Sequence, residues 1–170
     1  MDFKSVIRTI PDFPEEGIMF RDITTVLQNP EALRDAVDTM CSHLKNVDFD
    51  LVIGPESRGF IFGTPVAYKL DKGFVPARKA GKLPYKTISK VYDLEYGSAT
   101  IEIHEDAIKK GQKVVIVDDL LATGGTCKAI CELIEECGAV VEAIVFFIEL
   151  EGLAGREVLK GYNVSSLVTY

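Results

Sequence analysis

The 170-residue chain contains no Cys-x-x-Cys pair. Its four cysteines, Cys41, Cys127, Cys131 and Cys137, have no histidine or second cysteine pair to complete a four-ligand metal site. Cys127 and Cys131 fall four apart on an expected helix, so they read as buried core thiols of a reducing compartment, the cytoplasm. No apolar run approaches the ~20 residues needed to span a bilayer. The first residues, Met1 to Arg8, carry charges inside their apolar stretch and lack the core of a signal peptide. Neither Gly-x-x-x-x-Gly-Lys-Ser/Thr nor Gly-x-Gly-x-x-Gly occurs, which excludes a Walker loop and a dinucleotide fingerprint. Positive charge is in the minority, with 19 basic against 26 acidic residues and a net charge of −7. Such a chain repels nucleic acid and anionic membrane except at a local basic patch. Repeats, linkers and low-complexity segments are also missing, so residues 1–170 read as one domain with a substantial core.

What is present is concentrated between Lys113 and Thr126. The apolar run Val114 to Val117 ends in two acids, Asp118 and Asp119, followed by Leu120, Leu121 and Ala122-Thr123-Gly124-Gly125-Thr126. A helical pattern then runs to Cys137, and Gly138 ends it. The segment 113–137 reads as a buried parallel strand, a phosphate-cradling loop and a helix N-terminus. Free N–H groups at a helix start face an anion, and the helix dipole favours negative charge there. The two carboxylates suit sugar hydroxyls, which donate hydrogen bonds to ionised acids. Acids also end strands as solvated turns, but their place before a glycine-rich loop favours a ribose 5-phosphate.

A second loop repeats the arrangement. Leu51 to Ile53 reads as a strand, and Gly59 to Leu70 as a helix with Pro65 in its first turns. Between them, Arg58 offers a guanidinium fork suited to a diphosphate. The alternative is a surface arginine with Ser57 as a helix cap. Arg78, Lys79, Lys82, Lys86 and Lys90 form a basic cluster broken into a loop by Gly81 and Pro84. Elsewhere, residues 2–10 are expected as a short helix and Asp12 to Thr24 as a structured loop. Asn29-Pro30 caps a helix whose inner face is Leu33, Val37, Met40, Cys41 and Leu44. Strands are expected at 73–77, 88–92, 98–103, 140–148 and 166–168. Residues 104–111 read as a turn or helix stub, and 152–160 as a short helix. His43 and His104 read as surface histidines. Strands alternating with helices imply an α/β doubly wound, mainly parallel sheet flanked by helices, with its ligand at the carboxyl ends of the strands.

The strand and loop from Val114 to Thr126 resemble the phosphoribosyl pyrophosphate (PRPP) motif of the type I phosphoribosyltransferases. Further segments narrow the resemblance to the adenine phosphoribosyltransferases. They are Asp12 to Thr24, Glu56 to Phe60, Arg78 to Pro84, Leu94 to Gly97 and Gly155 to Glu157, in the expected order along nearly the whole chain.

The resemblance implies a type I phosphoribosyltransferase fold with an N-terminal hood (1–30) and a flexible antiparallel hairpin flap (79–104). It implies that Asp118, Asp119, Ala122, Thr123, Gly124, Gly125 and Thr126 bind PRPP and AMP. Ser57, Arg58, Arg78 and Lys82 would bind pyrophosphate, with a cis peptide near Glu56-Ser57. Met19, Phe20, Arg21 and Leu120 would enclose adenine. Glu95 and Tyr96 carry the catalytic roles on the flap, with the carboxylate moving a proton or stabilising positive charge on the ribose. The activity implied is purine salvage, adenine plus PRPP giving AMP and pyrophosphate. Magnesium is expected as a cofactor held through substrate oxygens, with no all-protein metal site. A homodimer is expected, with neither nucleic acid nor membrane as partner. The rival readings are an enzyme for an oxopurine base and a PRPP-sensing regulator without catalysis. The regulator would need a DNA-binding module, and none is visible.

Overall fold

The computed structural model describes residues 1–94 and 97–170. The chain opens with a 3-10 turn at Phe3–Ser5, where the Asp2 carboxylate accepts the Lys4 N–H. Two three-residue strands follow, β1 (Arg8–Ile10) and β2 (Phe20–Asp22), paired antiparallel. The expected helix over 2–10 is therefore not formed, and the loop expected at 12–24 contains a strand. Isolated helices this short are marginal, and pairing with β2 satisfies the backbone of residues 8–10 instead. A single helical turn, α1 (Thr24–Leu27), leads to α2 (Pro30–His43). The start of α2 is as read: the Asn29 side chain accepts from the N–H groups of Glu31 and Ala32, and Pro30 fills the first turn. His43 is exposed near its end.

β3 (Leu51–Pro55), α3 (Arg58–Lys69) and β4 (Gly73–Lys79) form the first strand–helix–strand unit. Pro65 lies well inside α3, not in its first turns. A hairpin of β5 (Thr87–Asp93) and β6 (Ser98–His104) comes next, closed by the Leu94 N–H donating to the Gly97 carbonyl at 2.9 Å. Residues 105–112 are turns without a helix. β7 (Lys113–Leu121), α4 (Gly125–Glu136) and β8 (Val140–Glu149) make the second unit. The helix expected at 152–160 is two short pieces, a 3-10 turn at Glu151–Leu153 and α5 (Gly155–Val158), with Ala154 left-handed between them. β9 (Val164–Thr169) closes the chain.

Seven strands form one sheet in the order β5-β6-β4-β3-β7-β8-β9. The five from β4 to β9 are parallel, and β5 and β6 add an antiparallel edge. The hairpin is thus built onto the main sheet through Arg78↔Glu102 and Lys79↔Ile101. α2 and α3 cover one face, and α4 the other. β7 is buried on both sides, which explains its unbroken apolar run: Val115 and Val117 pack under α2 and α3, and Val114 and Ile116 under α4. Cys41, Cys127 and Cys131 are buried free thiols, as expected from their spacing, and Cys137 is half-buried. The central strands β3 and β7 end at the same edge of the sheet, so their two loops meet.

Candidate active site

α4 begins without a side-chain cap. Gly124 holds the cap position at φ +84°, a left-handed conformation open to glycine at little cost. The first N–H groups of α4 therefore point outward with no side chain to accept from them, as an anion site requires. α3 also starts without a side-chain cap bond, at Ser57. The Glu56–Ser57 peptide ahead of it is cis, as expected.

The two helix starts open onto one cavity of about 620 Å³. Three groups and Phe146 of β8 line it: Pro55 to Arg58 at the end of β3, the basic residues Arg78, Lys79 and Lys82, and the continuous stretch Asp118 to Cys127. Every PRPP and pyrophosphate residue expected from the sequence lies on this wall, as does Leu120. The loops come this close because Gly59 has no side chain: a Cβ there would lie 2.9 Å from Asp118 Oδ1 and 2.7 Å from the Pro55 ring.

Five of the charged residues in the cavity form ion pairs. Arg58 Nε lies 2.7 Å from Asp119 Oδ2. Arg78 Nε and Lys82 Nζ lie 2.8 and 3.1 Å from the two oxygens of Glu56. Burial lifts the Asp118 carboxyl well above the ordinary carboxylate range, and the adjacent Asp119 charge lifts it further, although its own carboxylate accepts the Asp119 N–H at 2.8 Å. Asp118 keeps some surface at the cavity wall but is closely surrounded by protein. Burial also raises Asp119, against the pull of Arg58. Glu56 behaves oppositely: burial pushes it up, but hydrogen bonds from Lys82, Arg78 and the Lys79 backbone outweigh this and hold it below the usual range.

The lowered Glu56 sets a sign for acid sensitivity. Its stabilising contribution is fully present above the unfolded value of 4.5 and is lost as pH falls through the lower folded value. The melting temperature of wild type should therefore exceed that of Glu56→Gln at neutral pH, with the gap closing below about pH 4. Paired thermal melts from pH 7 downward check this; a gap independent of pH would remove Glu56 as its source.

A model of the phosphoribosyl transferase domain matches residues 22–167. The adenine phosphoribosyltransferase of Acetivibrio thermocellus is 61% identical over 171 residues, covering 100% of both chains. The crystal structure of adenine phosphoribosyltransferase from Thermoanaerobacter pseudethanolicus is similar at a TM-score of 0.96 and 51% identity, over 98% of this chain and 97% of that one. This chain belongs to the adenine phosphoribosyltransferase family. A further similar structure, the Saccharomyces cerevisiae adenine phosphoribosyltransferase, was solved with an imino-altritol bisphosphate and adenine. It has a TM-score of 0.92 and 41% identity, covering 96% of this chain and 94% of that one.

Against this family frame, the residues expected around adenine divide. Leu120 lines the cavity. The ring of Phe20 lies 6.0 Å from the Arg58 guanidinium, at the cavity's margin, and packs edge-on against Phe13 at 5.1 Å. Met19 is half-exposed on the preceding loop. Arg21 points elsewhere: its guanidinium stacks 3.8 Å over the Tyr170 ring and donates to Thr9 Oγ1 at 2.5 Å. Glu95 and Tyr96 lie outside the described residues. The strand end beside them is close to the site, since a Cβ on Gly125 would lie 3.4 Å from the Asp93 carbonyl. Glu56, the carboxylate facing both basic-loop cations, was given no role from sequence. Its signal was an acid shortly beyond the apolar run Leu51 to Ile53, much as Asp118 and Asp119 follow the run Val114 to Val117.

Proposed function

We propose that this protein transfers the 5-phosphoribosyl group of PRPP to adenine, releasing pyrophosphate and forming AMP in purine salvage. The observation that carries the reading is the convergence of two uncapped helix starts and the Asp118–Asp119 pair on one cavity. A donor with a phosphate at one end, two hydroxyls in the middle and a diphosphate at the other matches those three features in order. The reading is supported by the yeast relative, whose ligands are a bisphosphate and adenine.

In this reading the N–H groups of Thr123 to Thr126 hold the 5-phosphate, with Ala122 and Gly124 shaping the loop. Asp118 and Asp119 accept hydrogen bonds from the ribose hydroxyls through the lone pairs left beside the Asp119 N–H and Arg58. Ser57, Arg58, Arg78 and Lys82 face the diphosphate, and the two cations held by Glu56 turn toward it. Phe20 and Leu120 flank the purine ring, with Met19 and the backbone of Arg21 completing the hood while the Arg21 guanidinium stays on Tyr170. The bond between ribose C1 and the diphosphate oxygen breaks, positive charge develops on the ribose, and adenine N9 attacks C1. The basic side chains stabilise the departing diphosphate. Glu95 either takes the N9 proton or faces the developing charge, with Tyr96 beside it on a flap that excludes water.

Among the described residues no three acids, histidines or cysteines form a metal cage. This donor set fits an ion held mostly by substrate oxygens, such as magnesium, beside Asp118 and Asp119. When bound, the ion would neutralise diphosphate charge. We also propose a homodimer working in the cytoplasm; among the described residues no helix is long and apolar enough to cross a membrane. Incubation with PRPP, magnesium and adenine tests the reading. Equal amounts of AMP and pyrophosphate are expected, with no pyrophosphate release when adenine is left out. Adenine-independent release would instead indicate a PRPP hydrolase.

A further inference from the structure

Three charged residues are buried among the described residues: Asp22, Asp119 and Glu149. Asp119 belongs to the cavity, and Asp22 accepts the Thr24 N–H at 2.9 Å. Glu149, the last residue of β8, has no part in the reaction described above. Its two oxygens accept a bidentate fork from Arg156, with both Nε and Nη2 at 2.7 Å. Ser166 Oγ donates to the same carboxylate at 2.6 Å, and Arg156 Nη1 donates to the Val164 carbonyl at 2.9 Å. Burial pushes the Glu149 carboxyl up, but Arg156 and Ser166 outweigh it and keep it ionised.

Arg156 sits on α5, a four-residue helix that cannot hold itself in place. α5 lies directly behind the phosphate loop. A Cβ on Gly155 would be 2.3 Å from the Ala122 carbonyl oxygen and 2.7 Å from Leu121 Cδ1. A Cβ on Gly124 would be 2.9 Å from the Gly155 carbonyl oxygen. Glu149 is itself the cross-strand partner of Leu121, the residue before the loop. One buried carboxylate thus joins the strand beside the loop, the helix behind it and β9.

We propose that Glu149 and Arg156 are positioning residues for the phosphate end of the donor, holding α5 as the rear wall of the Ala122–Gly124 loop. The inference rests on reading that loop as the 5-phosphate holder. It separates the effects on the two substrates: moving the wall displaces the N–H groups facing phosphate but leaves the base margin at Phe20 and Leu120 in place.

The test is steady-state kinetics with inhibition by ribose 5-phosphate, on wild type, Arg156→Gln and Gly155→Ala. In Arg156→Gln the KM for PRPP and the inhibition constant for ribose 5-phosphate are expected to rise about ten-fold or more together, with the KM for adenine within about two-fold of wild type. Gly155→Ala leaves the ion pair intact but drives a methyl group into the loop, and the same signature is expected. Arg156→Lys, which keeps the charge but loses the two-pronged fork on Glu149, is expected to shift both donor constants in the same direction and decides the matter if Arg156→Gln does not fold. Unchanged ribose 5-phosphate inhibition in the folded variants, or KM values rising equally for both substrates, would overturn the proposal. A wild-type protein that ribose 5-phosphate fails to inhibit would overturn the phosphate reading itself, and this inference with it.

Discussion

Replacing Asp118 and Asp119 together with asparagine should abolish measurable PRPP binding while leaving a folded protein of equal or higher melting temperature. A hydrogen bond to a charged group contributes about 1.5–3 kcal/mol net. Losing one from each carboxylate removes about 3–6 kcal/mol, a drop in affinity of about 10²–10⁴. The stability side of the prediction has the opposite sign. Both carboxyls are raised in the folded state by burial, and Asp118 also by its neighbour. A carboxyl raised on folding works against the fold while ionised, and that cost is relieved as it takes up a proton. Asparagine removes the charge altogether, so the double variant loses the repulsion, offset in part by the half-exposed Arg58 losing its partner. Calorimetric titration with PRPP and a thermal melt check the two halves. Retained PRPP affinity would refute the ribose assignment, and a sharp fall in melting temperature would show that the pair supports the fold.

Glu95→Ala should lower kcat by about 10²–10⁴ with little change in adenine affinity, the range expected for losing a positioned proton-transfer or charge-stabilising group. The flanking geometry makes the hairpin end a fitting carrier. Asp93 and Ser98 close the ladder, and the Asp93 carbonyl lies against the first residue of α4. Single-turnover measurement separates the outcomes: a slowed chemical step supports the assignment, and a wild-type rate removes Glu95 from the chemistry.

The parts of the site that could be read from the chain are those whose signal is local. Val114 to Val117 announces a strand buried on both faces, and the acids and glycines after it announce the turn onto α4. Asn29-Pro30 announces the start of α2. β1 and β2 were missed because three residues are too few to show a period of two, and their pairing joins positions 8–10 to 20–22 across a loop. The attachment of the hairpin to β4 was also invisible, since the Arg78↔Glu102 pairing depends on where the sheet ends. The same reason explains Arg21. Its place in a family segment pointed to the base, yet its guanidinium packs on Tyr170 from the far end of the chain. Glu149 and Arg156 are seven residues apart, but their meaning depends on α5 lying behind a loop formed some thirty residues earlier.

The most direct test of the central claim is product formation from PRPP and magnesium with adenine, hypoxanthine and guanine assayed in parallel. The account predicts AMP from adenine and no nucleotide from the two oxopurines. Turnover of hypoxanthine or guanine in place of adenine would contradict the base assignment while keeping the donor chemistry. No turnover of any base, with PRPP still bound, would contradict the account as a whole and leave a protein that senses PRPP without using it.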